Sequence, residues 1–303
     1  MTDKLHVVLC RDRHDSSSQQ RLFQQLFDGL SGRGDVTVSL LPHLYDLPPD
    51  GKAIRHLRSL EGDLVVGCWL YPRAAFWVLD ANDIHGRMGA SVLVPDEELD
   101  DAVSAGNPGP SQRIIWCFDL RQFDDARPLL AEIDRIAAQH GEVARPAAVA
   151  AVAGGNGHVD LDEPVHRRWY PVVDRDRCGN CLDCLNFCLF GVFGVDSEGH
   201  VFVESPDACK DGCPACSRIC SQGAIMFPDH QNPGIAGDPS VPPGQFNVDL
   251  VQLFDAARPQ DLAEAERARF TGNPAAEPRE GGPQDTPRDD LDGLVDGLDD
   301  APL

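Results

Sequence analysis

The chain lacks any long hydrophobic run. No stretch approaches the ~18 consecutive apolar residues that a membrane-spanning helix needs, so no membrane insertion is expected. The opening segment, Met1-Thr-Asp-Lys-Leu-His-Val-Val-Leu-Cys10, acquires charge at once, and its apolar run is too short for an export signal. Positive charge is scarce as well: 26 Lys and Arg stand against 49 Asp and Glu, a formal net charge of −23. A surface of that sign repels phosphate, which argues against nucleic acid as a direct partner. No Gly-x-Gly-x-x-Gly follows a candidate strand, and no P-loop occurs. With no export route visible, the cysteines point to a reducing cytoplasm.

Cysteine itself is plentiful and ordered. Eight of the eleven fall in two runs, Cys178-x2-Cys181-x2-Cys184-x3-Cys188 and Cys209-x3-Cys213-x2-Cys216-x3-Cys220. The short steps let successive backbone turns aim three sulfurs at one centre. The last step begins a helical turn that carries the fourth sulfur away. Four thiolates in so short a span, repeated once, suit two 4Fe–4S clusters. Paired Cys-x2-Cys motifs also build structural zinc sites. The doubled four-member runs, with no histidine interleaved, favour clusters over zinc. A disulfide scaffold is disfavoured by the compartment.

The flanks repeat too. Tyr170-Pro-Val-Val-Asp174 precedes the first run, and Gly223-Ala-Ile-Met-Phe227, which follows the second, echoes Gly191-Val-Phe-Gly-Val195 after the first. Asp196-Ser-Glu-Gly199 joins that segment to His200-Val-Phe-Val-Glu204 and predicts a hairpin. Residues of about 169–228, roughly a fifth of the chain, thus resemble a bacterial-type two-cluster ferredoxin domain. The resemblance implies that each fourth cysteine serves the other cluster. Cys178, Cys181, Cys184 and Cys220 would then hold one cluster, and Cys209, Cys213, Cys216 and Cys188 the other. It also implies a negative reduction potential. The chain departs from the family where Leu189 and Ser221 replace the proline after the fourth cysteine. One extra residue also lies within Lys210-Asp-Gly212.

Residues 1–144 read as an α/β domain with an open, mostly parallel sheet. Candidate strands are Leu5–Cys10, Val36–Leu40, Leu64–Leu70, Ser91–Val94 and Ile114–Phe118. Leu22, Phe23, Leu26, Phe27 and Leu30 make one helical face, with Ser16, Ser17 or Ser18 as N-cap. A second helix is predicted from Ala126 to His140, closed by Gly141. The loop from Arg11 to Ser18 is either a solvated cap or an anion site at a helix start. Cys10, Cys68 and Cys117 lie at or near strand ends. They are either buried apolar residues or, with Asp12, His14 or His85, a further metal site. Val7-Val-Leu-Cys-Arg-Asp-Arg-His14 and Asp63-Leu-Val-Val-Gly-Cys-Trp-Leu70 look faintly similar to class II chelatases, which insert metals into tetrapyrroles. That resemblance implies a metal-binding histidine near the place where Cys10 stands. Tyr71-Pro-Arg-Ala-Ala-Phe-Trp77 reads as core, or else as a platform for a flat ligand.

Residues 145–168 read as a small-residue linker, and 229–303 as a Pro/Gly-rich acidic tail, largely disordered. Within the tail, 246–270 and Asp289–Asp300 are candidate short helices, the latter a docking element or a solvated acidic end. The functional expectation is an iron–sulfur electron-transfer protein, or an electron-carrying subunit, that meets a redox partner protein. The α/β domain would bind a partner or ligand, and the acidic tail is a candidate docking strap. The alternative is a redox-linked enzyme, such as a metal chelatase or a tetrapyrrole-handling protein, with its chemistry in the α/β domain.

Overall fold

Alternation of apolar side chains organises the first half of the chain. In β1 (Leu5–Cys10), Leu5, Val7 and Leu9 face one side while Val8 and Cys10 face the other, and each is fully buried. The same period of two runs through β3 (Leu64–Cys68) and β5 (Ile114–Asp119). Strands buried on both faces require helices above and below a parallel sheet.

The computed structural model describes residues 4–13, 16–93, 113–143 and 158–245, and it contains such a sheet. The strand order is β4-β5-β3-β1-β2-β6, with every pairing parallel. Here β2 is Val36–Leu41, β4 is Arg87–Met88 and β6 is His158–Asp160. Helices α1 (Ser17–Leu30) and α4 (Arg127–Val143) cover one face through Leu22, Leu26, Leu30, Leu129, Ile133 and Ile136. Helices α2 (Lys52–Ser59) and α3 (Pro72–Asp80) cover the other. Helix α1 starts at the serine run, where Ser16 Oγ accepts the Gln19 N–H. The chain divides into two units, residues 1–249 and 250–303, and every described residue belongs to the first.

Several expectations are corrected. No strand forms at Ser91–Leu93, and Val94 lies outside the described residues. Ser91 Oγ donates to Glu132 Oε1 at 2.7 Å, and the Val92 N–H points to the same oxygen at 3.3 Å. That backbone is thus satisfied by a side chain of α4 rather than by a neighbouring strand. Helix α4 continues past Gly141 to Val143, since one helical glycine costs only about 1 kcal/mol relative to alanine. Within the stretch expected to be a connector, His158–Asp160 pairs with β2, and Arg11 Nη2 holds the Asp160 carboxylate at 2.8–2.9 Å. Glu163 accepts the N–H groups of Lys52 and Ala53 at 2.7 and 2.9 Å, capping α2 from across the chain.

The cysteine-rich segment adds two small antiparallel pairs. One joins β7 (Val172–Val173) to β10 (Ile225–Met226), and the other joins β8 (Phe193–Val195) to β9 (Val201–Val203). The second is the predicted hairpin. Its turn is closed by Asp196, whose carboxylate accepts the Glu198 and His200 N–H groups, with Gly199 at φ +88°. Val192, Phe193, Val201, Ile225 and Phe227 form a local core. Tyr170, Val172 and Met226 instead join the apolar cluster under α2 and α3. Tyr45 and Tyr170 stack with ring centroids 4.4 Å apart. The Tyr45 hydroxyl donates to the Tyr170 carbonyl and accepts the Tyr170 N–H.

The expected disorder from Asp229 onward is also corrected for residues 229–245. Asp229 pairs with Arg13 and Arg167, and Ile235 in α7 (Pro233–Ala236) is fully buried. The Phe227 N–H donates to the Ile235 carbonyl at 2.8 Å. Gly237 takes φ +107°, and a Cβ there would come within 2.9 Å of Ala74 and Met226. This short apolar island folds back because it completes the core of the cysteine-rich segment. The candidate helices at 246–270 and Asp289–Asp300, the small-residue stretch at 145–157, and His14 lie outside the described residues.

Tyr45→Phe removes both partners of the buried Tyr170 peptide groups while keeping the stacked ring. The expected cost is about 1–3 kcal/mol, read as a lower urea midpoint. An unchanged midpoint would show that these bonds do not hold the two parts together.

Candidate metal centre

The first cysteine run is curled by its own backbone. Asn180 and Leu182 adopt left-handed φ values of +51° and +65°, a conformation that non-glycine residues take at a cost. Asn180 Oδ1 accepts the Val201 N–H at 3.2 Å and lies 3.6 Å from Cys178 Sγ. Ahead of the run, the Asp174 carboxylate accepts the N–H groups of Asp176 and Arg177 at 3.0 Å, and its carbonyl accepts the Cys178 N–H at 3.0 Å. Helix α5 (Asp183–Phe187) carries Cys184 and leaves Cys188 at its C-cap.

The second run is built in the same way. Helix α6 (Ala215–Ile219) carries Cys216 and leaves Cys220 at its C-cap. Gly212 takes φ +72° within the longer first step, so the extra residue is absorbed by a left-handed turn. Trp169 stacks on Phe227 and donates its Nε1–H to the Cys213 carbonyl. After the run, the Ala224 N–H points to Cys220 Sγ at 3.3 Å. Leu189, directly after Cys188, is 92% exposed.

These turns bring the sulfurs into two groups. Cys178, Cys181, Cys184 and Cys220 line one cavity, of about 390 Å³ with its open mouth included, together with Val173, Asn180 and Val201. Burial pushes the Cys184 thiol up to about 12, helped by the neighbouring Cys178, Cys220 and Cys181. Burial likewise raises Cys209 to about 12, with Cys213 and Cys188 beside it. Cys216 is raised first by burial and then by Cys209, Cys184 and Cys188. The fourth cysteine of each run therefore stands among the other run's sulfurs. Thiolates gathered in this way repel one another, a penalty that a metal–sulfide core held by them would offset. Among the described residues, no three His, Cys, Asp or Glu side chains close on a single metal ion.

The remaining cysteines behave differently. Cys10, Cys68 and Cys117 share one face of the sheet and are 0%, 0% and 4% exposed, among Val8, Val66 and Ile115. Burial pushes Cys68 up to about 12, and the other two are raised as well. Buried thiols of this kind are inert packing groups. Of their proposed helpers, His85 is half-exposed and bonded to Asp80, and Asp12 Oδ1 accepts the Arg13 N–H. Phe76 and Trp77 are core residues of α3.

Two buried polar positions beside the site were not visible in the sequence. Arg73, in the first turn of α3, is buried, and its partners Asp174 and Gly223 lie 101 and 150 residues away. His43, after β2, is 6% exposed and sits among Arg13, Asp46, Asp229 and Arg121. No local pattern marks either one.

No protein-family profile matches the chain. Curated relatives do. An uncharacterized ferredoxin of Methanocaldococcus jannaschii is 44% identical over 66 residues, 22% of this chain and 44% of the relative. The pyruvate synthase subunit PorD of the same organism is 34% identical over 59 residues, 20% of this chain and 66% of the relative. The indolepyruvate oxidoreductase subunit IorA of Methanothermobacter marburgensis is 42% identical over 53 residues, 18% of this chain and 8% of the relative. The chain spans less than two thirds of each relative's length. Over a stretch of that size it is similar to ferredoxin-type 4Fe–4S proteins, which supports a ferredoxin domain within a longer α/β chain. Among the described residues no helix is long and apolar enough to cross a membrane.

Burial holds His43 neutral with its pKa down to about 4; nearby Arg13 and Arg121 lower it and Asp46 and Asp229 raise it. Below about pH 6.5 the unfolded chain binds a proton that the folded chain refuses. Stability is thus expected to fall from about pH 6.5 towards pH 4. His43→Gln should flatten that part of the profile in urea unfolding at a series of pH values. An equal slope in the variant would assign the acid loss to other groups, such as His56 and His230, whose pKa burial also lowers.

Proposed function

We propose that this chain is an electron carrier, or the electron-carrying subunit of an oxidoreductase, holding two 4Fe–4S clusters. Cys178, Cys181, Cys184 and Cys220 would bind one, and Cys209, Cys213, Cys216 and Cys188 the other. The observation that carries the reading is the cavity shared by three sulfurs of the first run and Cys220 of the second. Two runs that exchange their fourth ligand suit neighbouring clusters better than two separate zinc knots. Each cluster, when bound, takes up or releases one electron at a time. The chain's own residues hold the thiols in place, exclude water on the buried side at Cys184 and Cys216, and leave Cys181 exposed.

On this reading residues 169–228 are the electron-carrying domain. Residues 1–144, extended by the edge strand β6, form the domain that meets a partner or ligand. The relatives named as subunits of pyruvate synthase and indolepyruvate oxidoreductase support a redox partner protein. Unprotected thiols and oxygen-sensitive clusters fit a reducing cytoplasm.

Anaerobic reconstitution of the full chain should yield about eight iron and eight sulfide per protein. A reversible EPR signal should appear on dithionite reduction. Cys184→Ser should lower the iron content towards about four per chain, the value for one remaining cluster. Recovery of zinc without acid-labile sulfide would end the reading.

A further inference from the structure

The two arms of the shared cavity meet a single side chain from the α/β sheet's own helices. Arg73, 7% exposed, donates from Nε to Asp174 Oδ2 at 2.6 Å and from Nη2 to the Gly223 carbonyl at 2.8 Å. Asp174 anchors the entry to the first run through the Asp176, Arg177 and Cys178 N–H groups. Gly223 follows the second run; its N–H bonds the Cys220 carbonyl, and the next N–H, of Ala224, points at Cys220 Sγ. One guanidinium therefore ties the loop that delivers Cys178 to the turn that delivers Cys220.

The charges matter as much as the tether. A buried cation stabilises a centre that becomes more negative on reduction, and a buried carboxylate does the opposite. Arg177 lies near the same pair, its Nε 3.9 Å from Asp174 Oδ2, but it is more exposed and bonds less closely. The sulfurs of the second group receive no comparable buried pair from α3 among the described contacts.

We propose that Arg73 is a positioning residue of this centre, and that the Arg73–Asp174 pair sets the reduction potential of the cluster held by Cys178, Cys181, Cys184 and Cys220. The proposal rests on the two-cluster reading above. It makes the α/β domain a tuning partner of one cluster and not of the other.

The test is an EPR-monitored redox titration of the reconstituted full chain and three variants, with iron and sulfide measured on each. Arg73→Gln removes the closer and more buried of the two cations beside Asp174 and should lower one midpoint. Asp174→Asn keeps an oxygen for the backbone N–H groups, leaves Arg73 charged, and should raise the same midpoint. Arg73→Lys should stay near the parent, and the second midpoint should hold in all three. A purely mechanical clamp would move both charge variants in the same direction. Shifts of one sign, equal shifts of both clusters, no shift, or loss of iron from both charge variants would overturn the proposal. A parent protein that takes up no iron or sulfide would instead sink the two-cluster reading itself, before any variant is compared.

Discussion

Gathering thiol sulfurs inside a protein is an arrangement the polypeptide resists, and the rest of this structure answers to that constraint. Burial and mutual proximity push Cys184 and Cys209 up to about 12. The backbone contributes its own cost at Asn180 and Leu182, which sit in the left-handed region without being glycine. Such costs persist only where surrounding contacts over-determine the conformation. Those contacts are present: Asp174 on three N–H groups, Asn180 on the Val201 N–H, Ser217 on the Ile225 carbonyl and Trp169 on the Cys213 carbonyl.

Rigidity also comes from outside the cysteine segment. A segment of only about sixty residues has too small a core to stand well alone, and it gains order by lending Tyr170, Val172 and Met226 to the core beneath α2 and α3. The polar contacts there are of the type that is costly to break. Removing one member of a buried ion pair strands the other, which costs several kcal/mol even where the intact pair adds little net stability. Arg73–Asp174 is of this kind, and Arg13, held between Asp46 and Asp229, is partly so.

What could be read in advance follows from the range of the interactions involved. Strands β1, β2, β3 and β5 announce themselves because their signal, a run of apolar residues, is local. The same holds for the cap at Ser16, the hairpin turn at Asp196–Gly199 and the spacing of the two cysteine runs. The edge strand at His158–Asp160 has only exposed residues, so nothing in its composition marks it. Its place comes from pairing with β2 and from Arg11, 149 residues distant from Asp160. Helix α2 depends on a cap from Glu163, and Ser91 is drawn to Glu132 on a helix that starts later in the chain. Pro and Gly near Ile235 suggested a disordered tail, and a four-residue helix is too short to leave a periodic signature.

The carboxyl edge of the sheet bears on where function resides. Open α/β sheets offer a ligand crevice where the strand order reverses, here between β1 and β3. At that edge Arg13, just past β1, is bound to Asp46 and to Asp229, which follows the cysteine segment in sequence. Nearby, Trp69 donates its indole N–H to the Cys10 carbonyl, and Arg121 is held by Asp119 over the Tyr71 ring. Each of these side chains is thus engaged within the fold, and Arg13 also with the residue that follows the cysteine-rich segment. At Arg13 this edge is tied to Asp229, immediately after the chain's own cysteine-rich segment. Cys10 and Cys68, at the ends of the same strands, are sealed in apolar packing, while Cys178, Cys181, Cys184 and Cys220 line one cavity beyond Asp174. Spacing along the chain separates the two kinds of cysteine in the sequence, and burial among methyl groups separates them in the fold.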